Sequence, residues 1–151
     1  SIEIAGLMHD VGKLCVPDEI VDKPARLTPR EFILMERHSF ETYQILRHVP
    51  GLEHIAEWAA FHHEKLDGRG YPFRRSGQDL SIEPRIVAVA DVFQALSQAR
   101  PYRRARPIEQ VGTMLRQFVY QGHLDPELVA AVEEDLEGCW TAAVAPSTPA
   151  G

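Results

Sequence analysis

The 151-residue chain predicts an all-α domain, on three observations. Apolar residues recur at helical spacing in successive segments along nearly its whole length. Thr28-Pro29-Arg30-Glu31 and Asp125-Pro126 are helix-start signals, each placing a capping side chain before a proline whose missing N–H costs nothing in a first turn. No segment alternates convincingly as a strand would. The elements follow in order. Ile2, Ile4, Ala5, Leu7 and Met8 form a first helix leading into His9-Asp10-Val11-Gly12-Lys13, with Gly12 as its breaker. Residues 15–27, holding Pro17 and Pro24, read as a connecting loop. From Thr28 towards His48, Phe32, Met35, Tyr43, Ile45 and Leu46 carry apolar faces on one helix or two abutting ones, closed by Pro50-Gly51. A further helix covers Leu52 to His63. Residues 64–81, with Gly68, Gly70, Pro72 and Gly77, form a polar loop longer than a compact domain carries without function or disorder. Helix resumes from Ile82 to Ala99, burying Ile86, Val87, Val89, Ala90, Phe93 and Leu96. Pro107 opens the next, with Val111, Met114, Leu115 and Phe118, and Asp125-Pro126 the last, through Leu136. The stretch 138–151, rich in Ala, Ser, Thr and Pro, is expected to be a flexible tail.

Composition narrows the function. Hydrophobic residues make up 44% and charged residues 25%, so the chain can bury an ordinary core. A net charge of -6 excludes a general nucleic-acid backbone binder, which needs cationic surface. A small phosphate ligand is still allowed, because metal ions and a few local cations invert the field inside a pocket. No apolar run reaches the ~18 residues of a membrane span, and no signal peptide is visible. Cys15 and Cys139 make neither a ligand pair nor a disulfide framework, so a reducing, cytoplasmic location is expected.

The polar residues interrupting the apolar segments are those that metals bind. His9 and Asp10 close the first helix, His38 lies within the second helical region, and His62 and His63 head the long loop. Asp91 stands between Val89-Ala90 and Val92-Phe93, where an unpaired carboxylate would be costly. Imidazoles with carboxylates suit Fe, Mn, Zn, Ni or Co. Asp10 has two oxygens and is able to bridge two ions, with His9 and Asp91 on one and His38, His62 and His63 on the other. A two-ion centre suits in-line displacement at phosphorus.

His9-Asp10-Val11-Gly12-Lys13, the run HHEKLDGRGYP at 62–72 and DVFQALSQARPYR at 91–103 together resemble the HD-GYP domain, a subgroup of the HD metal-dependent phosphohydrolases. The stretches VPDEIVDKPARLTPREF at 16–32 and GHLDPELV at 122–129 are similar to the family too. The resemblance implies an HD-domain-like helical bundle with a long active-site loop. It implies two divalent ions, Fe or Mn foremost, and hydrolysis of cyclic di-GMP to pGpG and onward to GMP. By motif, His9, Asp10, His38, His62, His63 and Asp91 would ligate metal, with Asp10 bridging. Lys13 would lie near the phosphate; Asp67, Gly68, Gly70 and Tyr71 would shape the rim; Arg100 and Arg103 would meet phosphate. Trp58 and Tyr71 are candidates to stack on a guanine. The resemblance further implies a bacterial signalling protein with regulatory domains fused upstream. It leaves a homodimer open and gives this domain no direct nucleic-acid or membrane binding.

The chain departs from the family at definite places. A further family histidine precedes HDxGK, so residues 1–137 are expected to be the catalytic domain without its N-terminal helix. Gln94 stands where DxxDAL carries its second Asp, His38-Ser39-Phe40-Glu41-Thr42 replaces HPxxG, and Cys15 replaces a common Gly. Two alternatives therefore stand beside the enzyme: an impaired member acting as a dinucleotide sensor or interaction module, and another HD-type phosphohydrolase.

Overall fold

The computed structural model describes residues 1–99 and 103–145, and these fold as helices joined by turns and one long loop. Among the described residues there is no strand, only an isolated bridge between Asp67 and Ser76. The helices are α1 Ile2–Met8, α2 Asp18–Val21, α3 Pro29–Leu46, α4 Glu53–Ala60, α5 Ile82–Ser97, α6 Ile108–Tyr120, α7 Pro126–Glu134 and α8 Leu136–Val144.

The start signals act as the sequence requires. Thr28 Oγ1 accepts the Glu31 N–H while Glu31 accepts the Thr28 N–H, a complete capping box that launches α3 as one continuous helix. Asp125 accepts the Glu127 and Leu128 N–H groups and starts α7.

Five expectations are corrected. The 15–27 connection holds the short helix α2, with Ile20 buried. The first helix ends at Met8, and Val11–Cys15 is a separate 3₁₀ turn. The fourth helix ends at Ala60 and tightens into a 3₁₀ turn at Phe61–His63, as helix ends commonly do. Residues 138–144 are no tail: α8 runs to Val144 and packs Cys139, Trp140 and Ala143 on the core. Ile86 and Ala90, expected in the core, are exposed on α5 and line the grooves beside it.

Two apolar clusters organise the bundle. Ala5, Leu46, Ile55, Ala56, Ala59 and Val87 join α1, α3, α4 and α5. Phe93, Leu96, Val111, Leu115, Leu124 and Val129 join α5 to the later helices. The loop 64–81 is fastened by polar bonds. Buried Glu64 accepts the Phe73 and Arg75 N–H groups at 2.6 and 2.9 Å. The Arg85 guanidinium reaches the Leu80 carbonyl and Asp125. The Asp67 N–H donates to the Gly122 carbonyl at 3.0 Å. No helix among the described residues is long and apolar enough to cross a membrane.

Candidate metal centre

Three helices and two 3₁₀ turns deliver the site. The turn carrying Asp10 seats on α3 because Gly12 has no side chain: a Cβ there would stand 1.9 Å from the His38 carbonyl oxygen. Buried Thr42 fixes the same contact, accepting the Gly12 N–H at 2.9 Å and donating to the His9 carbonyl at 3.1 Å. His62 and His63 turn inward from the end of α4, and Asp91 projects from α5. The donor atoms of His38, His62 and His63 lie within 4.8 Å of one another, as do those of His9, His62 and Asp91.

Asp10 lies between the two groups. Its Oδ1 is 3.5 Å from His38 Nε2 and its Oδ2 is 3.5 Å from His9 Nε2. Asp91 Oδ1 is also 3.5 Å from His9 Nε2. One carboxylate thus offers an oxygen to each side, as a bridging ligand must. His62 belongs to both groups by distance, although the sequence places it on His38's side alone.

The imidazoles are set to present lone pairs. His9, His38 and His62 each bring Nδ1 within 2.6 Å of a carbonyl three residues back, on Gly6, Met35 and Ala59. A carbonyl only accepts, so Nδ1 carries the proton and Nε2 is left unprotonated in the neutral ring. His62 Nε2 is buried and makes no hydrogen bond with the protein. A buried acceptor without a partner is expensive, and a cation satisfies it. The His62 imidazole is pushed down to about 4 by burial, against the charge of Asp91. Burial also lowers His38 and, with the neighbouring His62, lowers His63 well below the usual range. His9 moves the other way: burial opposes its protonation, but the bond to Asp91 and the charge of Asp10 outweigh burial and raise it. Burial likewise works against ionising Asp10 and Asp91, yet the Lys13 ammonium with the His9 ring holds Asp10 low, and the bond to His9 holds Asp91 low. The neutral imidazoles of His38, His62 and His63 beside ionised carboxylates are the donor set that a divalent cation takes. The residues present fit divalent metal.

These six ligand candidates come together, and so does Lys13, whose Nζ donates to Asp10 Oδ2 at 2.6 Å. Tyr71 stacks on His63 with ring centroids 4.8 Å apart. A cleft of about 500 Å³ opens over Asp10, His38, His63 and Asp91, with Lys13 and Tyr71 on its wall. Asp67, Gly68 and Gly70 do not line it. The Asp67 carboxylate accepts the Arg69 N–H, Gly68 takes a left-handed φ of 76°, and Gly70 lies against the backbone of residues 63–65. Arg103 donates to the Ala95 carbonyl, and Arg100 lies outside the described residues. Trp58 packs against the α1–α4 cluster rather than in the cleft. Gln94, one turn beyond Asp91, is exposed and borders the groove between α1 and α5.

Sequence reasoning passed over Thr42 and Glu64. Glu64 had a visible signal: a carboxylate following two ligand histidines directly needs donors once buried. Thr42 had none, because its partners lie about 30 residues away in the chain.

The family model described as HD domain matches residues 1–128. Relatives include a 3'3'-cGAMP-specific phosphodiesterase of Vibrio cholerae, 39% identical over 97% of this chain and 34% of its own length. A cyclic di-GMP phosphodiesterase of Pseudomonas aeruginosa is 37% identical over 85% of this chain and 31% of its own. A cyclic di-GMP phosphodiesterase response regulator of Xanthomonas campestris is 40% identical over 87% and 35%. The chain spans about a third of the length of these relatives. With the His-Asp pair, the paired histidines and the GYP loop gathered at one site, the chain belongs to the HD domain family, in its HD-GYP branch.

Proposed function

We propose that this domain is a metal-dependent phosphodiesterase of cyclic dinucleotides, with cyclic di-GMP as substrate, pGpG as first product and GMP as the onward product. Asp10 carries the reading, standing 3.5 Å from a histidine on each side, where a carboxylate shared by two ions would stand. Its relatives' names point to the same substrate class.

His9, Asp10 and Asp91 would hold one ion, His38, His62 and His63 the other, with Asp10 shared. Fe or Mn suits this mixed N/O set best, with Ni, Co or Zn as further candidates. Bound there, two divalent ions supply Lewis-acid stabilisation of the phosphoryl oxygens and a water nucleophilic at neutral pH. Lys13 spends one N–H on Asp10 and turns its other donors to a non-bridging phosphate oxygen, where charge grows in the transition state. Tyr71, its hydroxyl kept protonated by burial and the charges of Glu36, Asp91 and Asp10, covers His63 and narrows water's access from the loop side. No serine or cysteine nucleophile is required.

The test is turnover of cyclic di-GMP by the purified chain with Mn²⁺ or Fe²⁺, against Asp10→Asn. The expected result is product from the wild type and none from the variant, with helical content unchanged. Full activity in Asp10→Asn at unchanged metal content would sink the mechanism. Gln94 supports a second reading, a domain that binds metal or dinucleotide without turning it over, because an amide there cannot serve as an acid or base. Metal analysis beside the turnover assay separates the two. The third reading, another HD-type phosphohydrolase, is disfavoured by the GYP loop, and a substrate panel decides it. We further propose that the domain is the cytoplasmic output portion of a longer regulated bacterial protein, in keeping with relatives about three times its length.

A further inference from the structure

The cleft continues outward from the ligand groups along the segment between α2 and α3, where Ile20, Leu27, Phe32 and Met35 give it an apolar floor. Phe32 is 48% exposed and meets Tyr71 edge to face at 6.5 Å, so an aromatic face stands open to a ligand on the wall opposite the GYP loop. Three cations line this cleft. Lys13 is paired with Asp10 at 2.6 Å and Lys23 with Glu31 at 2.6 Å. Arg26 has no carboxylate partner among the described residues.

Arg26 is nonetheless carried on a tethered support. Glu31 Oε2 accepts both Lys23 Nζ at 2.6 Å and the Thr28 N–H at 2.7 Å, which draws the two ends of Pro24–Leu27 together. An uncommitted guanidinium on a fastened turn, beside an open aromatic face, suits a planar ligand bearing adjacent acceptors. Phosphate is a poorer match, because the ions of the proposed function, with Lys13, would already draw the phosphates to the cleft's inner end. Guanine presents O6 and N7 side by side to the two parallel donors of an arginine, whereas adenine offers a donor at that edge.

We infer that Arg26 is the base-reading residue of this site, receiving the guanine of the substrate half remote from the metal ligands and selecting it over adenine. This rests on the cyclic-dinucleotide reading and deepens it. It gives one residue a role in substrate choice, which the relatives' names divide between cyclic di-GMP and 3'3'-cGAMP at comparable identity.

The experiment compares wild type, Arg26→Ala and Arg26→Lys on cyclic di-GMP and cyclic di-AMP. KM and kcat are measured with Mn²⁺, and Kd by competition on the metal-depleted chain. Arg26→Ala is expected to raise KM and Kd for cyclic di-GMP about tenfold or more, with less than about a twofold change for cyclic di-AMP. Arg26→Lys should not restore the preference, because an ammonium lacks the paired donors. Equal losses on both ligands with rescue by lysine would mean a phosphate contact and overturn the inference; unchanged constants would overturn it too. Wild-type binding without hydrolysis would fail the enzymatic reading while Kd still reports on Arg26. Wild type binding neither ligand would remove both.

Discussion

The two apolar clusters on either side of α5 are built from different residues, and that difference explains where the site is. The cluster under the ligand groups is dominated by small side chains: Ala5, Ala56 and Ala59 are wholly buried there beside Leu46, Ile55 and Val87. The cluster at the other end is filled by large ones, among them Phe93, Leu96, Val111, Leu115 and Leu124. Small residues let helix backbones approach closely. Only then do side chains as short as histidine and aspartate, borne on α3 and α5 and just beyond the ends of α1 and α4, meet within 4.8 Å. The larger cluster holds no ligand and supplies apolar burial. One half of the bundle brings groups together; the other holds the bundle in place.

That division is open to direct attack. Leu115 is fully buried in the large cluster. Leu115→Ala is expected to cost about 2–5 kcal/mol in urea unfolding, while the folded fraction keeps the wild-type metal stoichiometry. Loss of metal at retained fold would show that the two halves are not separable. The buried imidazoles of the site half give it an acid sensitivity. His62 ordinarily titrates near 6.5 and is held at about 4 in the fold. Above pH 6.5 the ring is neutral in both states, so the fold loses nothing. Between 6.5 and 4 the unfolded chain takes up a proton that the folded chain refuses, and stability falls by about 1.4 kcal/mol per pH unit. His38 and His63 shift in the same direction and His9 in the opposite one. Through His62 alone the metal-free chain should therefore lose about 3 kcal/mol over that window, read as a falling urea midpoint. A flat midpoint would contradict the burial of these rings.

Ala56→Leu is the converse of the Leu115 variant. Overpacking at this wholly buried position should cost about 1–3 kcal/mol and, unlike Leu115→Ala, spread α1 from α4 and lower the bound metal. Full metal occupancy would mean that the small residues are incidental to the site. Glu64→Ala tests the loop in the same spirit. It leaves the Phe73 and Arg75 amides without their acceptor, at about 1–3 kcal/mol. Metal content should be unchanged and kcat/KM should fall, as Tyr71 loses its fixed place on His63. Unchanged kinetics would make Glu64 a structural group alone.

The sequence displayed the candidate ligands better than their supports. His9, Asp10, His38, His62, His63 and Asp91 are legible because each is a polar residue set in or beside an apolar helical pattern. The α3 start at Thr28 and the α7 start at Asp125 are legible because capping chemistry is local. What escaped is long-range or depends on packing. Asp67 looked like a rim residue, but its turn is tied to Gly122 on the far side of the loop. The α8 segment looked like a tail, because alanines promise little burial until a large cluster is there to receive Trp140. Arg26 read as part of a connecting loop until the fold laid that loop along the cleft.

Thr42 is the finest point at which the comparison can be probed. Its hydroxyl donates to the His9 carbonyl and accepts the Gly12 N–H, so one buried atom spans the two sides of the turn that carries Asp10. Thr42→Val keeps the shape and β-branching but removes both bonds, leaving the Gly12 amide and the His9 carbonyl to find other partners. The stability cost should be about 1–2 kcal/mol, the smallest of the series. Its consequence for the site should be larger than its cost to the fold, because Asp10 has to keep one oxygen near His38 and the other near His9. A small tilt of the turn lengthens one distance while shortening the other. The expected reading is weakened binding of one Mn²⁺ in a two-site titration, the second affinity staying within about threefold of wild type. Equal weakening at both sites would mean that the turn moves as a rigid unit and that Asp10 does not divide between the two groups.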